Sequence, residues 1–231
     1  MKQRIWEIDA LRGIMIIGVL FVHLFFDLDY YLGIDVIKNP ALQYCADHCG
    51  ILFVILSGLS VTLGKRSVRR GLQVLGFGMV ITAVTLGMYL LKMGDRFVII
   101  PFGVLHLLGT CMLLWPLFKK LPTWALVLLG AGALALGWWF DTLTVSVSWL
   151  FPLGLRQASF TSGDYFPIFP HLGWFLLGAV LGRLFYKEKQ SRLRLKCADG
   201  RIMGFLRWCG THSIWIYLIH QPVFYGIIML L

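Results

Sequence analysis

Long apolar stretches alternate with short polar segments along the whole chain. A helix needs about 20 mostly apolar residues to cross a bilayer, and seven stretches approach that length. The predicted spans are 11–32, 46–63, 71–91, 97–118, 123–140, 167–185 and 208–231. The pattern predicts an all-α, polytopic membrane bundle of about seven transmembrane helices. No soluble region interrupts it, so we expect residues 1–231 to form a single integral-membrane domain.

Composition agrees with this class. The chain is 58% hydrophobic and 14% charged, whereas soluble domains are about 45–50% apolar and about 25% charged. This hydrophobicity excludes a disordered chain. It also argues against a soluble nucleic-acid-binding protein, because too little polar surface remains to cover a globule in water. We therefore expect the lipid bilayer, and not nucleic acid, as the surrounding partner.

The basic residues lie mostly on one side of the predicted spans. The chain has 21 Lys and Arg against 11 Asp and Glu, a net charge of +10. Seventeen basic residues lie near the start of the first span or near the ends of the second, fourth and sixth spans and in the segments that follow them, and four fall on the opposite side. Positive segments mark the cytoplasmic side. This predicts a cytoplasmic N-terminus and an outer C-terminus in the cytoplasmic (inner) membrane.

Ionisable side chains inside apolar spans are costly and are therefore functional candidates. His23 follows Arg12 by eleven residues, about 16 Å along a helix and about 20° from three full turns, so both lie on one face. Asp27 lies one turn further along that face. A buried imidazole can accept a proton and a carboxylate can orient it. We predict His23 and Asp27 as the catalytic pair.

The remaining polar candidates divide by side. Histidines and acids lie mostly at mid-depth or further out, and suit a polar acceptor on the outer side. These substrate-binding candidates are Asp47, His106, Asp164 and His220. Basic residues near the inner side suit an anionic cytosolic molecule with phosphate groups. These candidates are Arg12, Arg66, Arg69 and Arg70.

Structural explanations compete with each functional one. A single histidine in a membrane helix is often only a packed, hydrogen-bonded residue. Asp47 and Asp164 precede predicted spans and could cap helix N-termini, and the arginine cluster could serve only to set topology. Cys45 and Cys49 lack the further closely spaced ligands that a zinc site needs, so we predict no metal.

Several segments resemble a known family. The opening RIWEIDALRGIMIIGVLFVHLFFD is similar to the first span of the transmembrane acyltransferase superfamily. It resembles more closely a bacterial domain related to the catalytic part of heparan-alpha-glucosaminide N-acetyltransferase. Further similar segments follow in order: FVILSGLSVTLGKRSVRR, GVLHLLG, DYFPIFPHLGWFLLGAVLGRLF and CGTHSIWIYLIHQPVF.

This resemblance implies acyl transfer across the bilayer. A cytosolic acyl-CoA, with acetyl as the expected acyl group, would acylate a sugar hydroxyl or amine on the extracytoplasmic side. Arg12 and His23 match the Arg and His of the superfamily's first span, which implies that His23 is the base or acyl relay. The basic motif matches Arg66, Arg69 and Arg70, which would hold CoA. The animal enzyme has an amide residue where His23 aligns.

Two other function classes use the same residues. A proton-coupled transporter or flippase would use the histidines and aspartates as proton relays, although no inverted repeat is visible. A bis-histidine haem electron carrier would take axial ligands from His23, His106 and His220. A glycine-rich face in the fifth or sixth span would support a homodimer.

Overall fold

A computed structural model describes residues 5–34, 40–191 and 200–230, without the side chains of 41, 42 and 45–47. These residues form eight α-helices, two short 3-10 helices and no strand, which confirms the all-α prediction. The α-helices are α1 (Trp6–Leu32), α2 (Pro40–Leu63), α3 (Ser67–Leu90), α4 (Val104–Phe118), α5 (Thr123–Asp141), α6 (Ile168–Phe185), α7 (Arg201–Thr211) and α8 (Ser213–Ile228). The 3-10 helices are Arg96–Val98 and Ser148–Leu153.

Helix length and apolarity identify a membrane protein. In the described part of the chain, four helices are long and apolar enough to cross a bilayer, namely α1, α3, α5 and α6. Three shorter apolar helices, His48–Leu63, Val104–Phe118 and Ser213–Ile228, coincide with the other predicted spans. Large apolar side chains such as Leu72 and Val84 of α3 are more than half exposed, as lipid-facing positions require. The seven-span count and the orientation stay predictions.

The fourth predicted span, 97–118, is wrong at its start. Its α-helix begins only at Val104. Pro101 has no backbone N–H to continue a helix, and Gly103 is extended, with φ −92° and ψ −171°. His106 was expected well inside a span. It lies instead in the first turn of α4.

The seventh predicted span, 208–231, is also wrong in part, because it contains two helices that meet at His212. The first of them, α7, is amphipathic. It exposes Ile202 and Phe205 and buries Cys209. Because α7 has only 11 residues, it is too short to cross a bilayer. The apolar segment that corresponds to the seventh span is therefore α8 alone.

The chain divides into two compact units. The first contains Met1–Leu56 and Tyr186–Leu231, and the second contains Ser57–Phe185. The division falls inside α2, so the two ends of this helix belong to different units. A compact unit is not by itself a functional domain, and the single domain over 1–231 stays a prediction.

In the first unit, α1 packs against α7 and α8. Gly13 of α1 faces the backbone of Leu206, and Gly210 of α7 faces the backbone of Asp9, each too closely for any larger side chain. Glycine thus lets the two backbones touch. At its other end, α1 stops at Gly33, which has φ +65°. The N–H groups of Gly33 and Ile34 bond the carbonyls of Asp29 and Leu28, and the bond from Gly33 to Asp29 is that of an αL termination.

In the second unit, α3 packs against α4, and α5 packs against α6. Gly130 and Gly173 let α5 and α6 approach closely. Arg183 of α6 donates to the carbonyl of Leu121 at 2.6 Å and to that of Lys119 at 2.9 Å. These carbonyls follow the last turn of α4, where a positive charge is favourable. The glycines thus serve packing inside this unit, and the homodimer stays a prediction.

Candidate functional site

Two histidines from distant parts of the sequence meet in the first unit. The rings of His23 on α1 and His220 on α8 have centroids 4.9 Å apart and an interplanar angle of 72°. The edge of Tyr217 also faces His23, with centroids 6.2 Å apart. The fold therefore joins a predicted catalytic residue to a predicted substrate-binding residue.

The His220 ring is held in one orientation. Its Nδ1 bonds the backbone carbonyl of Tyr217. A carbonyl can only accept, so Nδ1 carries the proton, and Nε2 of the neutral ring keeps a lone pair. His220 is only 6% exposed, and its Nε2 is buried without a hydrogen-bond partner in the described part of the chain. This nitrogen is a free acceptor.

Gln221 links His23 to Asp27. Its Nε2 lies 3.3 Å from Nδ1 of His23, and its amide also interacts with the Asp27 carboxyl group. Since both residues contact the same amide, His23 and Asp27 lie on one face of α1 and point toward α8. Sequence reasoning had missed Gln221. The signal that could have revealed it was an uncharged amide beside His220 in an otherwise apolar segment.

Asp27 supplies a second free acceptor. It is 4% exposed, and its Oδ2 finds no partner among residues 5–34, 40–191 and 200–230. Buried polar atoms are nearly always hydrogen-bonded, so two unsatisfied acceptors in one cluster indicate a place for a ligand group with N–H or O–H hydrogens. The cluster of His23, Asp27, His220 and Gln221, called the histidine cluster below, can thus bind and deprotonate an amine or a hydroxyl.

The four predicted arginines lie in two settings. Arg12 belongs to the first unit, and its Nη1 bonds Oδ1 of Asp9 at 3.1 Å. The other three belong to the second unit and are exposed. The third predicted span, 71–91, starts too late, because α3 begins at Ser67 and includes Arg69 and Arg70, with Arg66 as its N-cap. Backbone N–H groups at a helix N-terminus and guanidinium groups both attract anions.

Asp164 and His106 take part in one hydrogen-bonded network in the second unit. Oδ2 of Asp164 accepts from Val104 N at 3.2 Å and so caps α4. Nδ1 of His106 accepts from Gly103 N at 3.1 Å, and its Nε2 lies 3.1 Å from Oγ1 of Thr82. These bonds occupy both ring nitrogens of His106. Substrate binding by Asp164 and His106 stays a prediction.

Asp47 lies in α2, but its side chain is outside the described part of the chain. Its predicted contact with the acceptor therefore stays a prediction. The alternative that it caps the helix of the second span is wrong, because α2 begins at Pro40, seven residues before Asp47.

Comparison with protein families decides the class of this chain. The sequence model of the family described as heparan-alpha-glucosaminide N-acetyltransferase, catalytic, matches residues 4–222. The chain belongs to this family. The match confirms the resemblance seen in the sequence. No curated protein and no solved structure matched the chain.

Membership in the heparan-alpha-glucosaminide N-acetyltransferase catalytic family indicates a transmembrane acyltransferase-like function and acetyltransferase activity in general. The matched region of this family member includes the whole histidine cluster and the arginines at α3. Both the candidate chemistry and the candidate anion-binding groups therefore lie within the part of the chain that defines the family.

Proposed function

We propose that this protein transfers an acyl group, in the first instance acetyl, from cytosolic acyl-CoA to an amine or hydroxyl of a sugar-like acceptor on the extracytoplasmic side of the inner membrane. Family membership supports the acyl transfer. The observation that supports the site is the histidine cluster, in which His220 Nε2 and Asp27 Oδ2 are buried acceptors without partners in the described residues. The family match favours this function over a transporter or a haem carrier.

The reaction needs a base and a group that orients the acceptor. The acceptor nitrogen or oxygen attacks the thioester carbonyl, loses its proton to an imidazole of the cluster, and the carbon–sulfur bond breaks as CoA leaves. A positioned base contributes about 10²–10⁴-fold to such a step. The family resemblance gives this role to His23, either as base or as acyl relay. In the proposal Asp27, one turn further along the same face of α1, orients His23.

Exposed arginines support an anionic donor. Arg69 and Arg70 stand in the first turn of α3, where the backbone N–H groups are also available. Guanidinium groups bind phosphate oxygens through two parallel hydrogen bonds, and CoA carries phosphate groups. In the proposal Arg66, Arg69 and Arg70 bind these phosphates, and the part of Arg12 of the first unit stays a separate prediction.

Acyl transfer is tested with purified protein, acetyl-labelled acetyl-CoA and a panel of sugars headed by D-glucosamine. We expect label in an acetylated sugar and release of free CoA thiol, with His23→Ala slower by about 100-fold or more. The matched control is His171→Ala, a histidine of the second unit outside the cluster. If the wild-type protein neither labels any sugar nor releases CoA, the proposed function is wrong. Full turnover by His23→Ala would refute only that residue's role.

The donor site has its own test. Replacing Arg69 and Arg70 with glutamine removes two charges without shortening the side chains much. We expect the KM for acetyl-CoA to rise about tenfold or more, because hydrogen bonds to charged groups contribute about 1.5–3 kcal/mol each. Lys120→Gln, another exposed basic residue on the predicted inner side, is the control. An unchanged KM would show that Arg69 and Arg70 do not bind acetyl-CoA and would favour the alternative that they only set the topology.

A further inference from the structure

The two rings of the histidine pair differ in which nitrogen is free. His220 donates from Nδ1 to the Tyr217 carbonyl, which leaves Nε2 unprotonated. For His23 the partner is Gln221, whose amide nitrogen Nε2 lies 3.3 Å from Nδ1 of His23. An amide NH₂ group can donate a hydrogen bond but cannot accept one. His23 therefore accepts at Nδ1 and carries its proton on Nε2.

We infer that the two histidines have different roles in the reaction. Nε2 of His220 takes the proton of the attacking amine or hydroxyl, and Nε2 of His23 donates a hydrogen bond to the thioester carbonyl oxygen. This inference rests on the proposed acyl transfer and reverses the role that the family resemblance gives to His23. It makes Gln221 a positioning residue, because Gln221 holds the tautomer in which His23 is a donor.

The assignment gives a partner to the free nitrogen of each ring in the histidine pair. Nε2 of His23 makes no hydrogen bond with the described residues and is free to meet the substrate. As the acceptor nitrogen or oxygen bonds the acyl carbon, its proton moves to His220 Nε2 and negative charge gathers on the carbonyl oxygen beside His23. When the carbon–sulfur bond breaks, the sulfur keeps the electron pair and takes the proton from His220. Donors aimed at such an oxygen contribute about 10²–10³-fold to the rate.

Two side-chain replacements separate the roles. In His220→Asn the shorter amide reaches the position of Nδ1, so the bond to the Tyr217 carbonyl survives and the base is lost. In His23→Gln the amide N–H reaches the position of Nε2, so the donor survives and any base is lost. We expect kcat to fall by about 100-fold or more in His220→Asn but by less than about tenfold in His23→Gln.

The pH profile supplies a second readout. The titratable groups in contact with His220 are His23 on α1 and Tyr217 on α8. The rate of the wild-type protein should fall on acidification as the base becomes protonated. That acidic limb should persist in His23→Gln and disappear in His220→Asn. If both variants are slow, the acidic limb of the pH profile shows which histidine is the base. A limb that persists in His220→Asn but disappears in His23→Gln would overturn the assignment.

Nitrogen NMR tests the tautomers without any turnover. In protein labelled with ¹⁵N-histidine, the His220 signal should show a protonated Nδ1 and the His23 signal a protonated Nε2. Each signal is assigned by its absence from the spectrum of the variant that lacks that histidine. Opposite tautomers would overturn the inference. The control is His171, whose Nδ1 bonds the Pro167 carbonyl at 2.8 Å in the second unit. His171→Asn should leave kcat and the acidic limb unchanged.

Failures of the two proposals are distinguishable. A wild-type protein without label transfer or CoA release contradicts the proposed function itself. An active wild-type protein with a fully active His220→Asn variant contradicts only the division of roles. Both variants are first checked for wild-type elution and acetyl-CoA binding. If His220→Asn does not fold, His220→Gln, which also lacks a base, takes its place in the same comparison.

Discussion

His23 and His220 touch edge to face, with ring centroids 4.9 Å apart, although they lie near opposite ends of the chain. This contact brings the predicted catalytic face of α1 against α8, where Gln221 bonds His23 and interacts with Asp27. The polar groups of two apolar helices are thus gathered in one cluster. Such a cluster is costly to bury unless its members are hydrogen-bonded or bind a ligand.

Gln221 offers the most direct test of this contact. Gln221→Leu removes the hydrogen bond to His23 and the interaction with Asp27 together. Because the tautomer of His23 and the position of Asp27 then lose their support, we expect kcat to fall by about tenfold, with the KM for acetyl-CoA unchanged. Gln157→Leu, in the second unit, serves as the matched control. A wild-type kcat in Gln221→Leu would show that the amide does not position the cluster.

Close backbone packing between α1 and α7 should depend on Gly210. A Cβ at this position would collide with the backbone of Asp9, so Gly210→Ala should destabilise the protein by about 1–3 kcal/mol. Gly204 lies on the same helix and has no neighbour within 4 Å of an added Cβ. Gly204→Ala should therefore raise stability by up to about 1 kcal/mol through helix propensity. Thermal unfolding in detergent measures both, and equal midpoints would contradict the packing.

Asp164 should act chiefly as a helix cap. Its carboxylate accepts from Val104 N at the start of α4. Asp164→Ala should therefore lower the unfolding free energy by about 0.5–2 kcal/mol, whereas Asp164→Asn keeps an acceptor and most of the stability. Kinetics with the best sugar of the panel separate this role from substrate binding. A large rise in the acceptor KM of Asp164→Asn, at wild-type stability, would instead favour the predicted contact with the acceptor.

Tyr165, outside the membrane-spanning helices, should make stability depend on alkaline pH. Burial raises the pKa of its hydroxyl to about 12. The positive charge of Arg156 lowers this pKa, and the negative charge of Asp141 raises it. The neutral hydroxyl donates to the Phe151 carbonyl at 2.6 Å. A raised folded-state pKa gives stability that is complete below the unfolded pKa near 10 and is lost as pH rises toward about 12. Tyr165→Phe should show a shallower loss of unfolding midpoint over this range, and parallel curves would contradict it.

The sequence by itself determined the class of the protein and the start of its site. Apolar runs are a local property, and all seven predicted spans coincide with apolar helical segments in the structure. The helical period is also local, so the common face of His23 and Asp27 could be predicted, and in the structure both side chains interact with Gln221. The predicted helix ends were wrong before Val104, where proline and glycine delay the start of α4, and at His212, where the amphipathic α7 meets α8.

Tertiary structure alone decided which polar groups meet. It joined His220 and Gln221 to the face of His23, directed Asp164 to the N-terminus of α4, and enclosed His106 in a network of bonds. Periodicity states which face of a helix is polar but not which other helix that face contacts. The partner depends on packing between distant segments, and here glycines set how closely those segments approach. The free Nε2 of His220 therefore emerged only from the folded chain.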